Sequence, residues 1–317
     1  MNTILVTGAG GFVGRMLCQA LVNQGYATRG LVRAMGVQVE GVEYYPVDLV
    51  HDDVPFKSLT CVSCVVHLAG RAHVLKDQEQ DPLSSFRLVN CEATLKLARQ
   101  ALEAGVKRFI FMSSIGVNGS HTDSEPFDEM AEPHPHADYA RSKFEAEEKL
   151  KLLLAGTTME LVIVRPPLIY GLEAPGNFAR LLKLVASGAP LPLRSIRNAR
   201  SLVSIENVVS FLIRCIDHSE AAGQLFLIAD GEDVSTSQIV EQLALGMDRR
   251  ARLISVPAPI LQAGLALLGR KSLYTQLCGS LRVDTSKART LLEWHPVTDT
   301  LMQLQRVGRL YATQRNC

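Results

Sequence analysis

The sequence predicts an α/β fold: a doubly wound parallel sheet over residues 1–165, followed by a smaller C-terminal α+β domain over residues 166–317. Three observations carry this reading. Up to Arg165, apolar runs of strand length alternate with longer helix-like segments, the pattern of a parallel sheet covered by helices on both faces. A glycine-rich turn joins the first strand to the first helix. Beyond Arg165 the rhythm is broken by Pro166-Pro167, Pro175-Gly176 and Pro190-Leu191-Pro192. The chain is expected to cross back between the two parts, which meet around one crevice.

Composition bounds the function. With 317 residues, 47% hydrophobic and 21% charged, the chain is long enough to bury a cofactor cleft. A formal charge of +1, with cations and acids interleaved, leaves no basic stripe for a phosphate backbone, so nucleic acid is excluded as a partner. Met1 to Thr7 runs straight into an apolar strand with no export signal, which predicts a cytoplasmic protein. Residues 256–269 are the longest later apolar stretch. Two prolines interrupt it and it falls short of the roughly 20 residues that span a bilayer, so it reads as a core helix with no membrane insertion. Seven scattered cysteines fit reduced thiols. Cys61-Val62-Ser63-Cys64 runs into the apolar Val65-Val66-His67-Leu68, so its thiols are expected to be buried and no metal is assigned.

Taken in order, strands are expected at residues 3–7, 27–32, 43–47, 64–69, 107–113 and 160–165, with amphipathic helices at 84–104 and 138–154. The turn Thr7-Gly8-Ala9-Gly10-Gly11-Phe12-Val13-Gly14 lies between the first strand and a helix carrying Leu17, Leu21 and Val22. Gly8 suits a tight turn, Gly11 a close approach to a pyrophosphate, and Gly14 tight helix-strand packing, with the helix N-terminus facing the negative charge. This predicts a Rossmann-type dinucleotide site that includes Phe12 and Val13. The second strand ends Leu31-Val32-Arg33 with no carboxylate to hold a ribose hydroxyl. Arg33 offers a fork of donors to a 2′-phosphate, so NADP(H) is expected over NAD(H). Asp48 and Leu49 are placed beside the adenine, and Leu68, Ala69 and Gly70 beside the nicotinamide half.

Tyr139 and Lys143 stand four apart near the start of a helix and share a face. A nearby ammonium is expected to lower the phenol toward working pH, where it can give and recover a proton. Ser114 ends the strand Phe109 to Ser113 at its carboxyl edge, where open α/β sheets bind ligands, and can hydrogen-bond a substrate oxygen.

These motifs resemble the extended short-chain dehydrogenase family, also called the NAD-dependent epimerase/dehydratase family, over essentially the whole chain. TGxxGxxG at Thr7 to Gly14, HLAG at His67 to Gly70, Asn90, SSxxV at Ser113 to Val117 and YxxxK at Tyr139 to Lys143 follow the family's order and approximate spacing. The resemblance implies Ser114, Tyr139 and Lys143 as the catalytic triad, with Lys143 on the nicotinamide ribose and Asn90 in support. It makes Arg165-Pro166-Pro167 through Tyr170-Gly171 the strand along the cofactor, with Pro166 touching it. Asn177-Phe178 and Arg200 match positions that bind the diphosphate of a nucleotide sugar, and residues 284–296 match the closing helix and turn.

Departures narrow the activity that the resemblance implies. Ile115 and Gly116 replace the acid and base of 4,6-dehydratases. Asn118 replaces the tyrosine usual in epimerases, and Arg33 stands where they commonly keep an acid. The form of residues 113–119 resembles bacterial reductases of UDP-4-keto-6-deoxy-N-acetylhexosamines in O-antigen and lipopolysaccharide biosynthesis. The expected oxidoreductase is therefore an NADPH-dependent 4-ketoreductase of a UDP-linked sugar. A UDP-hexose 4-epimerase with tightly bound NAD, and a non-catalytic NADP-binding sensor or scaffold, are the alternatives. Family members often dimerise through helices matching 84–104 and 138–154, so a homodimer is expected.

Overall fold

The computed structural model describes residues 2–72, 81–267, 269 and 271–316. In chain order the strands are β1 (Thr3–Thr7), β2 (Ala27–Val32), β3 (Val42–Pro46), β4 (Val62–His67), β5 (Arg108–Met112), β6 (Glu160–Arg165), β7 (Leu168–Tyr170), β8 (Leu202–Ser204) and β9 (Leu225–Leu227). The helices are α1 (Phe12–Asn23), α2 (Phe56–Leu59), α3 (Pro82–Arg87), α4 (Ala93–Glu103), α5 (Asp138–Leu154), α6 (Asn177–Ser187), α7 (Ile205–Asp217), α8 (Thr236–Gly246), α9 (Ala258–Leu267), α10 (Lys271–Cys278), α11 (Ser286–Leu292) and α12 (Thr300–Asn316).

Seven strands form one sheet in the order β3-β2-β1-β4-β5-β6-β9, with every neighbouring pair parallel. The expected Rossmann-type sheet is present. Strand order reverses between β1 and β4, and that switch point opens a crevice at the carboxyl ends of the strands. Because the central strands are covered on both faces, they read as continuous apolar runs: Ile4, Leu5, Val6, Val65, Val66, Phe109, Ile110 and Phe111 are all 0% exposed.

Alternate residues feed two cores. Ile4, Val6, Val66 and Ile110 meet Leu17 and Leu21 of α1 and Val208 and Leu212 of α7. On the other face Leu5, Val65, Phe109 and Phe111 meet Leu97 and Ala101 of α4 and Ala146 and Leu150 of α5. Each fully buried Leu, Ile or Phe contributes about 1.5–3 kcal/mol, so apolar burial fixes the helices that frame the crevice. Beyond β6 the chain forms a separate two-stranded parallel sheet, β7-β8, before β9 returns to the edge of the main sheet. A third core joins Tyr170, Phe178 and Leu182 to Leu243 of α8 and Leu304 and Val307 of α12.

Two sequence expectations are corrected. Residues 256–269 do not form a core helix: α9 lies at the surface, with Ile260 62% and Leu267 89% exposed, and Leu261 is the residue that reaches the third core. Its prolines fall at and before its first turn, so they start the helix without tying it to the core. Within the CxxC pair, Cys64 is buried in β4, but Cys61 is exposed in the preceding turn with a φ of 61°.

Candidate active site

The glycine turn is shaped by close backbone approaches that only glycine allows. Gly8 has a φ of +65°, and a Cβ there would stand 2.9 Å from the amide nitrogen of Ala69. At Gly14 a Cβ would sit 2.2 Å from the carbonyl oxygen of Gly8. The Gly11 amide donates to that same oxygen at 2.8 Å, closing the turn. Gly11 is the N-cap of α1 and has no side chain to cap it, so the first-turn amides and the positive end of the helix remain for an anion. The cradle fits a dinucleotide pyrophosphate. Phe12 and Val13 are half-buried against the core below it, and Phe12 also reaches the third core.

Arg33 is exposed one residue past β2, and no carboxylate stands along that strand. Asp48 and Leu49 follow β3. The Asp48 carboxylate accepts the Val50 amide at 3.0 Å and Leu49 packs on the second core, so this turn is held by its own residues.

Beneath the cradle, β1 is tied to β4 and α4 through His67. Thr7 Oγ1 lies 2.7 Å from His67 Nδ1, and His67 Nε2 lies 2.9 Å from Thr94 Oγ1. Burial pulls the imidazole down to about 3, with the nearby Lys143 charge acting in the same direction, so His67 is neutral. Thr7 Oγ1 also accepts the amides of Leu68 and Ala69, which sets those residues beside Gly8. Thr94 donates to the carbonyl of Asn90, whose side chain accepts the Arg71 amide at 2.7 Å and donates to Ser142 Oγ at 3.0 Å. Ser142 in turn donates to the Tyr139 carbonyl at 2.8 Å. Hydrogen bonds thus link the glycine turn to the first turn of α5. Asn90 lies in a π-helical turn, Leu88–Glu92, between α3 and α4, a distortion frequent at functional sites.

The segments that carry the predicted triad approach this crevice. A Cβ at Gly70 would lie 3.3 Å from Lys143 Nζ and 3.1 Å from Asn90 Oδ1. One at Gly116 would touch both Ala140 of α5 and Ser114 Oγ, at 3.3 and 3.4 Å. Ser114 Oγ accepts the Gly116 amide at 3.1 Å, which leaves its proton to donate elsewhere. Tyr139 is half-buried, with its ring edge-on to Phe86 at 6.2 Å between centroids.

Lys143 does not acidify the phenol here, contrary to the sequence expectation. Burial pushes Tyr139 up to about 12. The Lys143 ammonium instead donates to the Met112 carbonyl at 2.9 Å and sits 4.6 Å from the centre of the Phe111 ring. Burial lowers Lys143 to about 8, opposed by the charge of Glu147.

Sequence reasoning missed Glu147 and the buried ion pair it makes. Fully buried one turn after Lys143, Glu147 accepts from Arg165 Nε at 2.9 Å and from Arg165 Nη2, and it also accepts the Ser113 hydroxyl. Arg165 Nη1 donates to Asn118 Oδ1 at 3.0 Å. Asn118, set down above as a departure from epimerases, therefore completes a buried ion pair. The signal available in the sequence was the YxxxKxxxE spacing, which puts Glu147 on the face of Lys143.

Pro166 is buried where its carbonyl accepts the Ile115 amide at 2.9 Å, aligning the end of β6 with the Ser114 turn. From there β7 leads to α6, whose first residue, Asn177, is exposed. Phe178 is 1% exposed and packs at a tilt against Tyr170, so its side chain belongs to the core. Arg200 lies ahead of β8 and donates to the Gly279 carbonyl at 3.1 Å, with burial lowering its pKa. Asn177 and Arg200 flank the β7-β8 sheet, apart in sequence from the triad.

The sequence profile of the NAD dependent epimerase/dehydratase family matches residues 4–229. A UDP-glucose 4-epimerase of Vibrio cholerae is 42% identical over 301 residues, covering 93% of this chain and 91% of the relative. An N-acetyl-alpha-D-glucosaminyl-diphospho-ditrans,octacis-undecaprenol 4-epimerase of Escherichia coli O157:H7 is 25% identical, over 82% of this chain and 76% of the relative. Among solved structures, the UDP-glucuronic acid 4-epimerase of Bacillus cereus in complex with NAD superposes with a TM-score of 0.78 at 22% identity, covering 98% of this chain and 99% of the other.

Proposed function

The chain belongs to the NAD dependent epimerase/dehydratase family, and we propose that it is a UDP-hexose 4-epimerase working through Ser114, Tyr139 and Lys143. The observation that carries this is the approach of Lys143 to Gly70 and of the Ser114 turn to Ala140, the neighbour of Tyr139 in the first turn of α5. The Vibrio cholerae relative supports epimerisation over the net reduction expected from the sequence. Asn118 no longer speaks against it, since its carboxamide serves Arg165.

In this reading the first-turn amides of α1 hold the pyrophosphate, residues 33, 48 and 49 border the adenosine half, and Leu68, Ala69, Gly70, Pro166 and Lys143 border the nicotinamide half. When bound, the oxidised dinucleotide supplies a reversible hydride acceptor and a positive charge that draws the Tyr139 phenol down from its raised value. Tyr139 takes the proton from the C4 hydroxyl and later returns one to the C4 oxygen. Ser114 donates its hydroxyl hydrogen to that oxygen and steadies its developing charge. Asn177 and Arg200 hold the UDP diphosphate. The protein works as a homodimer through α3, α4 and α5, which light scattering checks.

The test is incubation of the purified protein with UDP-glucose or UDP-galactose, without added cofactor. Approach to one equilibrium mixture from either side, with the nicotinamide absorbance unchanged, is expected; inertness toward both sugars and their N-acetyl forms overturns the proposal.

A second reading, NADPH-dependent reduction of a UDP-4-keto-6-deoxy sugar, is favoured by Arg33. It requires stoichiometric loss of NADPH. The arginine itself is testable by cofactor titration. Arg33→Asp removes an attractive charge and installs a repulsive one, so NADP should bind roughly tenfold more weakly while NAD changes little, about 1.4 kcal/mol of discrimination. An unchanged NADP affinity shows that Arg33 is only a solvated side chain.

A further inference from the structure

We infer that α9 and its basic flanks dock the protein on the headgroup layer of an anionic lipid bilayer. Helix α9 reads APILQAGLAL, with Gln262 as its one polar side chain. Ile260, Ala263, Gly264 and Leu267 follow the i, i+3, i+4, i+7 spacing of a single helical face, and all of them are exposed. A contiguous apolar stripe on a surface marks a place where something apolar is meant to lie.

Charge identifies the occupant. From Arg249 to Val283 the chain contains no Asp or Glu, and besides Arg249, held by the Ala186 carbonyl, and Arg282, paired with Asp233, its cations are Arg250, Arg252, Arg270 and Lys271. The rest of the chain holds 27 Lys and Arg against 32 Asp and Glu, so the excess of cations is confined to this segment. Arg250 and Arg252 are exposed, and the few residues from Arg252 to Ala258 span at most about 20 Å. A second copy of the chain pressed stripe to stripe would set these cations against one another. An anionic membrane offers both missing complements, acyl chains for the stripe and phosphates for the arginines. Ten helical residues extend about 15 Å, so α9 lies in the interface and does not cross the roughly 30 Å core. None of the described helices is long and apolar enough to do so.

The test is flotation of the full chain with vesicles of phosphatidylcholine alone or with about 30 mol% phosphatidylglycerol. Partitioning is expected to be at least about tenfold stronger with phosphatidylglycerol, and to fall several-fold when salt is raised from about 0.1 to about 0.5 M. The double variant Ile260→Glu/Leu267→Glu should lose at least about tenfold in binding while keeping its melting point and its turnover of soluble UDP-sugar. Equal or absent binding to the two vesicle types, or undiminished binding by the variant, overturns the inference. So does a dimer in light scattering that the double variant dissociates, since the stripe would then belong to self-association. The inference does not depend on the proposed reaction: vesicle binding and sugar turnover are separate readouts.

Discussion

Tyr139→Phe is expected to lower turnover by about 10²–10⁴-fold, with melting point and dinucleotide retention essentially unchanged. In the proposed reaction the phenol both takes and returns the proton at C4. Its ring packs edge-on against Phe86, a contact phenylalanine retains, so the loss is chemical and not structural. The raised value of about 12 sharpens the prediction. A phenol that hard to ionise needs positive charge from the loaded site before it acts as a base. In spectrophotometric titration its ionisation should therefore move to lower pH when the oxidised dinucleotide is bound, and that transition should be missing from the phenylalanine variant. Turnover within tenfold of the parent removes Tyr139 from the proposed machinery.

Glu147→Gln carries the largest expected effect on stability. The carboxylate is 0% exposed, and it binds two nitrogens of a guanidinium that is itself 2% exposed. Removing one partner of such a pair strands the other in a low-dielectric interior, at a cost of about 3–5 kcal/mol. At the slope usual for large domains this is a fall of roughly 6–10 °C in the thermal midpoint. The double replacement Glu147→Leu/Arg165→Met removes both charges and should recover much of that loss. A second readout separates packing from positioning. Glu147 is the charge that opposes the burial-driven drop of Lys143 to about 8, so without it the ammonium should deprotonate at lower pH. The alkaline fall in kcat/KM should shift down accordingly. A variant that melts and titrates like the parent contradicts both roles.

Much of this arrangement is legible in the sequence because it rests on local rules. β1, β2, β6 and α5 fall where apolar runs and turn residues put them, and the glycines and YxxxK are chain-local patterns that a switch-point crevice brings together. What escaped depends on the finished fold. β7, β8 and β9 are three residues each, too short for a periodic signal, and β9 joins β6 only after the chain has left the sheet and returned. Asn118, Glu147 and Arg165 meet from a 3₁₀ turn, a helix and a strand, which no spacing announces. Helical periodicity predicts that Tyr139 and Lys143 share a face of α5, but it gives no sign of the Met112 carbonyl that engages the ammonium. For α9, composition suggested burial, and only the packing shows that its outer face is exposed among the described residues.

The central claim is that hydride leaves C4 of the sugar and returns to it within one crevice, under the control of Tyr139. The most direct measurement is mass spectrometry of product formed from UDP-glucose deuterated at C4, with no cofactor added. Product UDP-galactose that keeps the deuterium at C4 is the expected result. Loss of the label to solvent or to free dinucleotide, or recovery of unchanged substrate alone, contradicts the account.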